Sequence, residues 1–336
     1  MATIQDPMAA PVLRWGVIGA GGIADTVITN LQAATRQELV AVGARSAERA
    51  QAFADKFGAA RAYGSYEELV ADDQVQVVYV ATTHNTHYPA AKLALEAGKH
   101  VLMEKAFTVN QREAAELAEL AAARGLFLME AMWTRFLPHM VELRERVAAG
   151  VIGDPLYFSA DFGFRNEFDP DTRFYSPELG GGALLDRGIY PISAAVSLFG
   201  LPEAVVSAAT LAPSGVDAQF CAILDYPSKG AQAVVESALN VTTPQAALLA
   251  GSAGMVKLPA PFWAPTALEI AVEGKEPEVW RYQTVGRGYE YQIAEVARRV
   301  AAGETESPVM PVAETVAIMG LMDTIRAQCG ITLPGD

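Results

Sequence analysis

Glycines with the spacing of a phosphate-binding loop lie near the start of the chain. The segment "GVIGAGGIAD" places Gly19, Gly21 and Ala24 in a G-x-G-x-x-[GA] pattern, after a strand-like run and at the beginning of a helical one. In this pattern Gly19 permits a tight turn, Gly21 lets a pyrophosphate approach the main chain, and Ala24 lets the helix pack closely on the sheet. The order of strand, loop and helix predicts a dinucleotide site that also includes Gly22 and Ile23; glycines of an ordinary turn are the alternative.

The residues after the second predicted strand indicate which dinucleotide is bound. An NAD-binding domain usually has Asp or Glu there, about 20 residues past the glycines, to bind the ribose 2′-hydroxyl. The segment "AVGARSAERA" has no acid at the strand end and has Arg45, Ser46 and Arg49 instead. Two guanidinium groups one helical turn apart, with a hydroxyl group between them, suit a 2′-phosphate. We expect NADP(H), with NAD(H) as the weaker alternative; a solvated basic helix start is the interpretation without a ligand.

Lys105 ends another strand-like run, in the stretch "KHVLMEKAF". Ligands of an open parallel sheet bind beyond the carboxyl ends of its strands. Lys105, and with it Glu104, is therefore expected at the edge where the nicotinamide end of the cofactor lies. A surface salt bridge between the two side chains is the alternative.

Short apolar runs alternate with amphipathic stretches from about residue 14 to residue 131, which is the pattern of βαβ units. The near-continuous apolar run "VVYVA" indicates a sheet that is covered on both faces. Ser65 and Asn110 have the positions of N-caps, and Gly58, Gly98 and Gly125 follow the last helical residues. The predicted helices are Asp25 to Ala34, Ala47 to Phe57, Tyr66 to Ala71, Tyr88 to Ala97 and Asn110 to Arg124. We therefore predict an α/β Rossmann domain, a doubly wound parallel sheet, over residues 12–131.

Strand-like segments follow one another directly in the second half of the chain, from "LYFSADFGF" to "EVWRYQ". Consecutive strands without intervening helices predict a large, mostly antiparallel sheet, and so an α+β domain over residues 132–336. Helical patterns cover Ile189 to Phe199, Tyr289 to Ala302 and Ala313 to Gln328.

The composition argues against several classes of partner. With 25 Lys and Arg against 39 Asp and Glu, the net charge of −14 repels nucleic acid. No apolar run approaches the ~20 residues that cross a bilayer, and the N-terminus lacks the features of a secretory signal. The widely spaced Cys221 and Cys329 give no disulfide framework and fit a reducing compartment. We expect a soluble, cytoplasmic protein with no nucleic-acid or membrane partner.

Two histidines in "TTHNTH", His84 and His87, raise the question of a metal site at the end of the fourth predicted strand. Two imidazoles without a clustered third ligand are a poor zinc site, so we expect no metal. The same loop, with Thr82, is expected to contact the cofactor.

Several short motifs are spread over nearly the whole chain. They read "GAGGIA", "MEKAFTVN", "EAMWTRFLP", "GGGALLDRGIY", "GVDAQFCAILDYP", "FWAPT" and "ESPVMPVAETVAIM". Together they resemble the glucose-fructose oxidoreductase, inositol dehydrogenase and MocA (Gfo/Idh/MocA) family. Ala106, where the family usually has proline, and Tyr190, where most members have histidine, are typical of its branch of dimeric trans-dihydrodiol dehydrogenases and NADP-dependent D-xylose dehydrogenases.

The resemblance implies that Lys105, Asp186 and Tyr190 form the catalytic set. Hydride transfer interconverts an alcohol and a carbonyl, so a proton must move on the substrate oxygen. The ammonium of Lys105 would favour the ionised form of Tyr190, whose phenol has an unperturbed pKa near 10, and make it a general base. Asp186 would orient Lys105 or hold a substrate hydroxyl. The alternatives are an N-cap for Asp186 and core packing for Tyr190.

The resemblance also implies a set of residues around the substrate. His87 matches the last residue of the family's Thr-Pro-Asn-x-x-His loop, whereas Thr83 and His84 replace its Pro and Asn. The residues expected to line the substrate site are His87, Trp133, Arg135, Phe164, Asp186 and Tyr190. Core packing is the alternative for the aromatic side chains among them.

We therefore predict an NADP-dependent oxidoreductase that acts on the CH–OH group of a vicinal diol or sugar, of the trans-dihydrodiol or D-xylose dehydrogenase type. An inositol or other sugar dehydrogenase and a 1,5-anhydrofructose reductase are the alternatives of the same class. A non-catalytic NADP(H)-binding regulator is the alternative of another class. The resemblance implies a homodimer formed through the open face of the second sheet, with Trp263 as a contact or, alternatively, as a core residue.

Overall fold

The computed structural model describes residues 5–336 of the chain. These residues form two compact units. The first comprises residues 5–136 and 285–316, and the second comprises residues 137–284 and 317–336. The predicted domain limits, 12–131 and 132–336, stay a prediction, since compactness alone does not show which parts fold independently.

A six-stranded parallel sheet forms the centre of the first unit. Its strands are β1 (Arg14–Ile18), β2 (Glu38–Gly43), β3 (Arg61–Tyr63), β4 (Val77–Val80), β5 (His100–Met103) and β6 (Leu128–Glu130). Their order across the sheet is β3-β2-β1-β4-β5-β6, which is that of a doubly wound fold. All residues of β4 are buried, as expected for a strand covered on both faces. The predicted α/β class is confirmed.

The second unit contains an eight-stranded sheet. Its strands are β7 (Pro155–Gly163), β8 (Ala204–Leu211), β9 (Asp217–Tyr226), β10 (Ala231–Ala238), β11 (Ala247–Gly251), β12 (Gly254–Leu258), β13 (Ala267–Val272) and β14 (Glu278–Arg281). They lie in the order β14-β13-β12-β11-β7-β10-β9-β8. β7 and β10 are parallel neighbours, and the other pairs are antiparallel. The predicted, mostly antiparallel sheet is confirmed.

The helices agree with the sequence pattern wherever a local signal marks their ends. They are α1 (Gly22–Ala34), α2 (Ala47–Phe57), α3 (Tyr66–Ala71), α4 (His84–Glu96), α5 (Gln111–Arg124), α6 (Pro138–Ala148), α7 (Ile189–Phe199), α8 (Tyr289–Ala301) and α9 (Val312–Cys329). Ser65 and Asn110 accept main-chain hydrogen bonds from Glu68 and Glu113, so both predicted N-caps are confirmed. α4 begins before the predicted Tyr88, and α6 was not predicted.

The second sheet has one covered and one open face. Phe158, Ala160 and Phe162 alternate along β7 as buried residues, and α7 packs on this strand. Tyr157, on the opposite side of β7, is 39% exposed. Such alternation is typical of a sheet that packs a core on one side only.

None of the helices between residues 5 and 336 is long and apolar enough to span a membrane. Cys221 and Cys329 are free thiols.

Candidate active site

The loop between β1 and α1 has the geometry of a phosphate-binding turn. Gly19 has a φ of +100°, and a Cβ atom there would lie 2.6 Å from the carbonyl oxygen of Ala81, so only glycine fits. A Cβ atom at Gly21 or Gly22 would meet nothing within 4 Å, so the space beside the first turn of α1 is open. Because a helix N-terminus attracts anions, this loop fits the pyrophosphate of a dinucleotide.

Arg49 lies against the same loop. The Oγ atom of Ser46 caps α2 by accepting the N–H of Arg49 at 3.4 Å. The Nη2 atom of Arg49 donates to the carbonyl oxygen of Ala20 at 3.2 Å. Arg45, just before the cap, is exposed. The structure thus brings Arg49 to the glycine loop, in a position where an added phosphate would find charge-assisted donors.

The two histidines after β4 are buried. In His87, Nδ1 lies 2.9 Å from the carbonyl oxygen of Ala106, and Nε2 lies 3.2 Å from that of Thr82. Burial lowers the pKa of His87 to about 4, so the ring is neutral at neutral pH and donates one of these two hydrogen bonds. The ring of His84 packs edge-on against it, with 5.5 Å between the centroids. His87 therefore links the loop after β4 to the loop that contains Lys105.

Glu104 and Lys105 lie directly after β5, at the carboxyl edge of the parallel sheet. Glu104 is buried and accepts a hydrogen bond from the hydroxyl group of Tyr79, which belongs to the neighbouring strand β4. Lys105 is half-buried, and the Lys105–Ala106 peptide bond is cis. Glu104 therefore supports the end of the strand from within the edge of the sheet.

Trp133 and Arg135 belong to a short 3₁₀ helix after β6, Trp133–Phe136. The indole ring of Trp133 stacks on Tyr289, the first residue of α8, with 4.5 Å between the centroids. Arg135 is buried and forms an ion pair with Glu314. The sequence did not point to Tyr289, because the stacked rings are far apart along the chain and no pattern connects them.

Glu130, at the end of β6, is a buried carboxyl that the sequence also did not indicate as part of the site. It is 1% exposed, and its Oε2 atom lies 3.3 Å from Oγ1 of Thr315. The main-chain N–H of Phe107 also donates to it. Burial raises the pKa of Glu130 to about 7, although Arg135 favours the ionised form. A group that titrates near neutral pH therefore lies against the loop of Lys105.

Asp186 belongs to a π-helical segment, Leu184–Gly188, which continues directly as α7. Its Oδ1 atom accepts a hydrogen bond from Nη1 of Arg173 at 2.8 Å, and its Oδ2 atom lies 3.4 Å from Nε of Arg187. Two guanidinium groups thus compensate the charge of this buried carboxylate. Asp186 is not an N-cap, since it lies inside the segment rather than before it.

Arg187 is an unusually buried cation, 1% exposed. Its Nη1 atom donates to the carbonyl oxygen of Phe164 at 2.6 Å and also to that of Ala238, and its Nη2 atom donates to Oδ1 of Asn166. The guanidinium carbon lies 3.6 Å from the centre of the Phe164 ring. Burial lowers the pKa of Arg187, but a guanidinium stays charged. Arg187 therefore ties the π-helical segment to the ends of β7 and β10.

Tyr190, in the first turn of α7, lies next to a wall of aromatic rings. Its ring centroid is 5.3 Å from that of Phe162, and Phe162 stacks on Trp263 with 3.6 Å between centroids and 8° between planes. Because Phe162 faces α7, Trp263 lies on the covered side of the sheet, not on the open side where a subunit contact was expected. A hydroxyl group that can exchange a proton beside a flat apolar wall suits a ring-shaped alcohol.

The two units hold different parts of the predicted site. Residues of the first unit are Gly19, Gly21, Gly22, Ile23, Ala24, Arg45, Ser46, Arg49, Thr82, His84, His87, Glu104, Lys105, Trp133 and Arg135. Residues of the second unit are Phe164, Asp186 and Tyr190. The partnership of Lys105 with Tyr190 stays a prediction. Within residues 5–336, no three His, Cys, Asp or Glu side chains form a group that could hold a metal ion.

Sequence profiles of one oxidoreductase family match both halves of the chain. The profile of the GFO_IDH_MocA oxidoreductase family, with an NAD-binding Rossmann fold, matches residues 13–132. The profile of the GFO/IDH/MocA C-terminal domain matches residues 140–257.

Individual relatives are similar over almost the full length. The trans-1,2-dihydrobenzene-1,2-diol dehydrogenase of Mus musculus is 38% identical over 96% of this chain and 99% of that protein. The protein of the same name from Homo sapiens is 37% identical, with the same coverage. The crystal structure of a 3-ketoreductase from Actinomadura kijaniata, in complex with NADP and TDP-benzene, is 28% identical, has a TM-score of 0.85, and covers 94% of this chain and 98% of that one.

Proposed function

We propose that this chain, which belongs to the Gfo/Idh/MocA family of oxidoreductases, is an NADP-dependent dehydrogenase that acts on a vicinal diol or sugar. The proposed type is a trans-dihydrodiol or D-xylose dehydrogenase. The observation that carries the proposal is the position of Tyr190 beside the stacked rings of Phe162 and Trp263. Membership of the family confirms the resemblance in the motifs, and the chain is an oxidoreductase with an NAD-binding Rossmann fold.

NADP(H) is the proposed cofactor. When bound, a nicotinamide accepts or donates a hydride. The glycine loop and the start of α1 would hold the pyrophosphate, and Arg45, Ser46 and Arg49 would hold the 2′-phosphate. The hydrogen bond from Arg49 to Ala20 supports this role, since it places a guanidinium beside the loop. The A. kijaniata 3-ketoreductase, a protein of the same fold, was crystallised with NADP.

The proposed proton-transfer group is Tyr190. In the oxidative direction its phenolate oxygen would take the proton of the substrate hydroxyl, and in the reductive direction its hydroxyl would return it. The ammonium of Lys105 would favour the phenolate and contact the cofactor. Asp186, whose charge Arg173 and Arg187 compensate, would accept a hydrogen bond from a second hydroxyl of the substrate. A vicinal diol offers such a second hydroxyl.

The other expected substrate residues divide into two groups. Trp133, which stacks on Tyr289, and Phe164, which is 39% exposed, are proposed to contact the substrate. His87 and Arg135 are proposed to position the loops beside it. Their contacts support this, because His87 lies against main-chain carbonyl oxygens and Arg135 pairs with Glu314.

A panel of trans-dihydrodiols, aldopentoses and inositols tests the proposal. Each compound is assayed with NADP⁺ and with NAD⁺ through the absorbance of the reduced nicotinamide. Tyr190→Phe is expected to lower kcat by about 10²–10⁴-fold, the usual contribution of general acid–base catalysis. Tyr226→Phe is the matched control, since the Tyr226 hydroxyl is buried and has no hydrogen-bond partner within residues 5–336. Equal activity in both variants would refute the role of Tyr190. Tight NADP(H) binding without turnover of any compound would favour the non-catalytic regulator.

We also propose a homodimer that forms through the open face of the second sheet. Large apolar side chains are exposed on this face: Val206 is 67% exposed, Ile223 is 40% exposed and Tyr157 is 39% exposed. Val206 and Ile223 are register partners on neighbouring strands, so they form one continuous patch. Patches of this kind mark protein–protein contacts when they are large.

Sedimentation velocity at micromolar concentration tests the dimer. Val206→Lys is expected to shift the protein to a monomer, because it would bury a charge in the contact. Val12→Lys, at a residue of the first unit that is 45% exposed, is the control and should leave the dimer intact. A wild-type monomer would refute the proposal.

The proposed location is the cytoplasm. Two free thiols, Cys221 and Cys329, suit a reducing compartment. Recovery of the native protein in the membrane or secreted fraction would contradict it.

A further inference from the structure

The helical element that contains Asp186 and Tyr190 has no capping side chain of its own. Its first residue, Leu184, follows Ala183, whose side chain makes no capping hydrogen bond. The first N–H groups of a helix need acceptors from outside it, and a buried N–H group without one is strongly destabilising. Here the acceptor comes from Asp217, which is distant in sequence and begins β9.

The carboxylate of Asp217 fits closely against the start of this element. Its Oδ2 atom accepts the N–H of Leu184 at 2.6 Å, and the residue is 2% exposed. The N–H of Ala183 also donates to it. Gly182 lies so near that a Cβ atom there would be 2.2 Å from Oδ1, and its φ of +115° also favours glycine. Glycine and carboxylate together define where the helical element begins.

The same peptide segment is held on its other side. The Oγ atom of Ser237, on β10, donates to the carbonyl oxygen of Ala183 at 2.9 Å. Ala183 is thus bound through its N–H to β9 and through its carbonyl to β10. The π-helical segment continues directly as α7, so the start of the element sets the directions of its later side chains. Asp186 and Tyr190 follow within the next two turns.

We propose that Asp217 is a positioning residue for the dehydrogenase reaction: it fixes the start of the segment 183–190 and thereby places Asp186 and Tyr190. This inference rests on the proposed function. Asp217 itself does not contact the substrate in this scheme. Its carboxylate acts through main-chain hydrogen bonds, which an amide oxygen reproduces in part and an alkyl group does not.

The experiment compares Asp217→Asn and Asp217→Ala in the full-length protein. Asp217→Ala is expected to lower kcat at least tenfold while the dissociation constant for NADP⁺ stays within twofold of the wild type. Asp217→Asn, which keeps an acceptor for Leu184, is expected to recover a substantial part of kcat. Glu203→Gln is the matched control, because Glu203 also accepts a main-chain N–H, that of Ser228, in the same unit. It should leave kcat unchanged.

Amide hydrogen exchange of the segment 183–190 provides a readout that does not need turnover. Exchange is expected to accelerate at least tenfold in Asp217→Ala and to stay unchanged in Glu203→Gln. If Asp217→Ala does not fold, Gly182→Ala disturbs the same contact from the other side and should give the same loss of kcat and faster exchange.

The inference would be overturned if a folded Asp217→Ala or Gly182→Ala protein had the kcat of the wild type. It would also be overturned if the amide exchange of such a protein equalled that of the wild type. Equal losses of kcat in the Asn and Ala variants would also overturn it, since the amide should rescue in part. A wild-type protein without turnover on any substrate would instead refute the proposed function, and the exchange result would still decide the role of Asp217.

Discussion

Replacement of Arg187 by methionine removes a buried cation that lies beside Asp186. The guanidinium donates to the carbonyl oxygens of Phe164 and Ala238 and to the side chain of Asn166. A hydrogen bond to a charged group contributes about 1.5–3 kcal/mol, but the losses of a connected group are not additive. Loss of one partner from a buried charged cluster typically costs about 3–5 kcal/mol, and we expect Arg187→Met to fall in this range.

Two neighbouring arginines provide the comparison for the expected loss of stability. Arg165 is exposed, and Arg165→Met is the matched control with an expected change near zero. The side chain of Arg173 is 53% exposed although it pairs with Asp186, so Arg173→Met should cost only about 0–1 kcal/mol. The loss of stability in the three variants should therefore follow the burial of the arginine and not the presence of an ion pair.

Thermal unfolding followed by circular dichroism measures the difference. For a chain of 336 residues, with an unfolding entropy of about 2.1 cal/mol/K per residue, 1 kcal/mol shifts the midpoint by about 1.4 °C, so Arg187→Met should unfold roughly 4–7 °C below Arg165→Met. Midpoints of Arg187→Met and Arg165→Met that agree within about 1 °C would refute the reasoning, because the buried guanidinium would then contribute nothing beyond its packing.

Three further predictions concern the cofactor and the pH dependence. The double variant Arg45→Ala and Arg49→Ala should weaken NADP⁺ about 10–100-fold in fluorescence titrations and leave NAD⁺ unchanged; equal losses would contradict NADP selectivity. The raised pKa of Glu130, about 7, means that the native state keeps a proton that the unfolded state loses above about 4.5. Glu130 therefore contributes a loss of stability of on the order of 3 kcal/mol between these pH values, and the denaturant midpoint of Glu130→Gln should rise relative to that of the wild type across this range. The lowered pKa of His87, about 4, contributes in the opposite direction, so the denaturant midpoint of His87→Gln should fall relative to that of the wild type as the pH rises from 4 to 6.5; a constant difference would contradict this cause.

Sequence patterns predicted the elements whose signals are local. The cap of α3 by Ser65 depends on residues within one turn, and the apolar run of β4 reflects burial on both faces, so both could be predicted. The limits of α2 and α7 also agree with the pattern. α4 begins at His84 rather than at the predicted Tyr88, and Pro89 lies inside it.

The parts of the site that sequence reasoning missed all depend on contacts between distant residues. Tyr289 stacks on Trp133, and Asp217 caps a segment whose first residue, Leu184, lies 33 residues before it. Arg187 looks like a solvated charge in the sequence, yet the fold buries it among main-chain carbonyl oxygens that only the ends of β7 and β10 provide. Family motifs assigned roles to Asp186 and Tyr190. They assigned no role to the residues that hold these two in place.

The parallel pairing of β7 and β10 has a consequence for how the chain folds. Two adjacent parallel strands need a crossover, and here residues 164–230 lie between them, including Asp186, Tyr190 and Asp217. Closing so long a loop costs chain entropy before the contacts between the two strands can offset that cost. This strand pair should therefore form late. Ala238 and Ser237, which bind Arg187 and Ala183, reach their positions only with β10. The arrangement around Tyr190 is therefore expected to appear in one of the last steps of folding, after most of the antiparallel hairpins have formed.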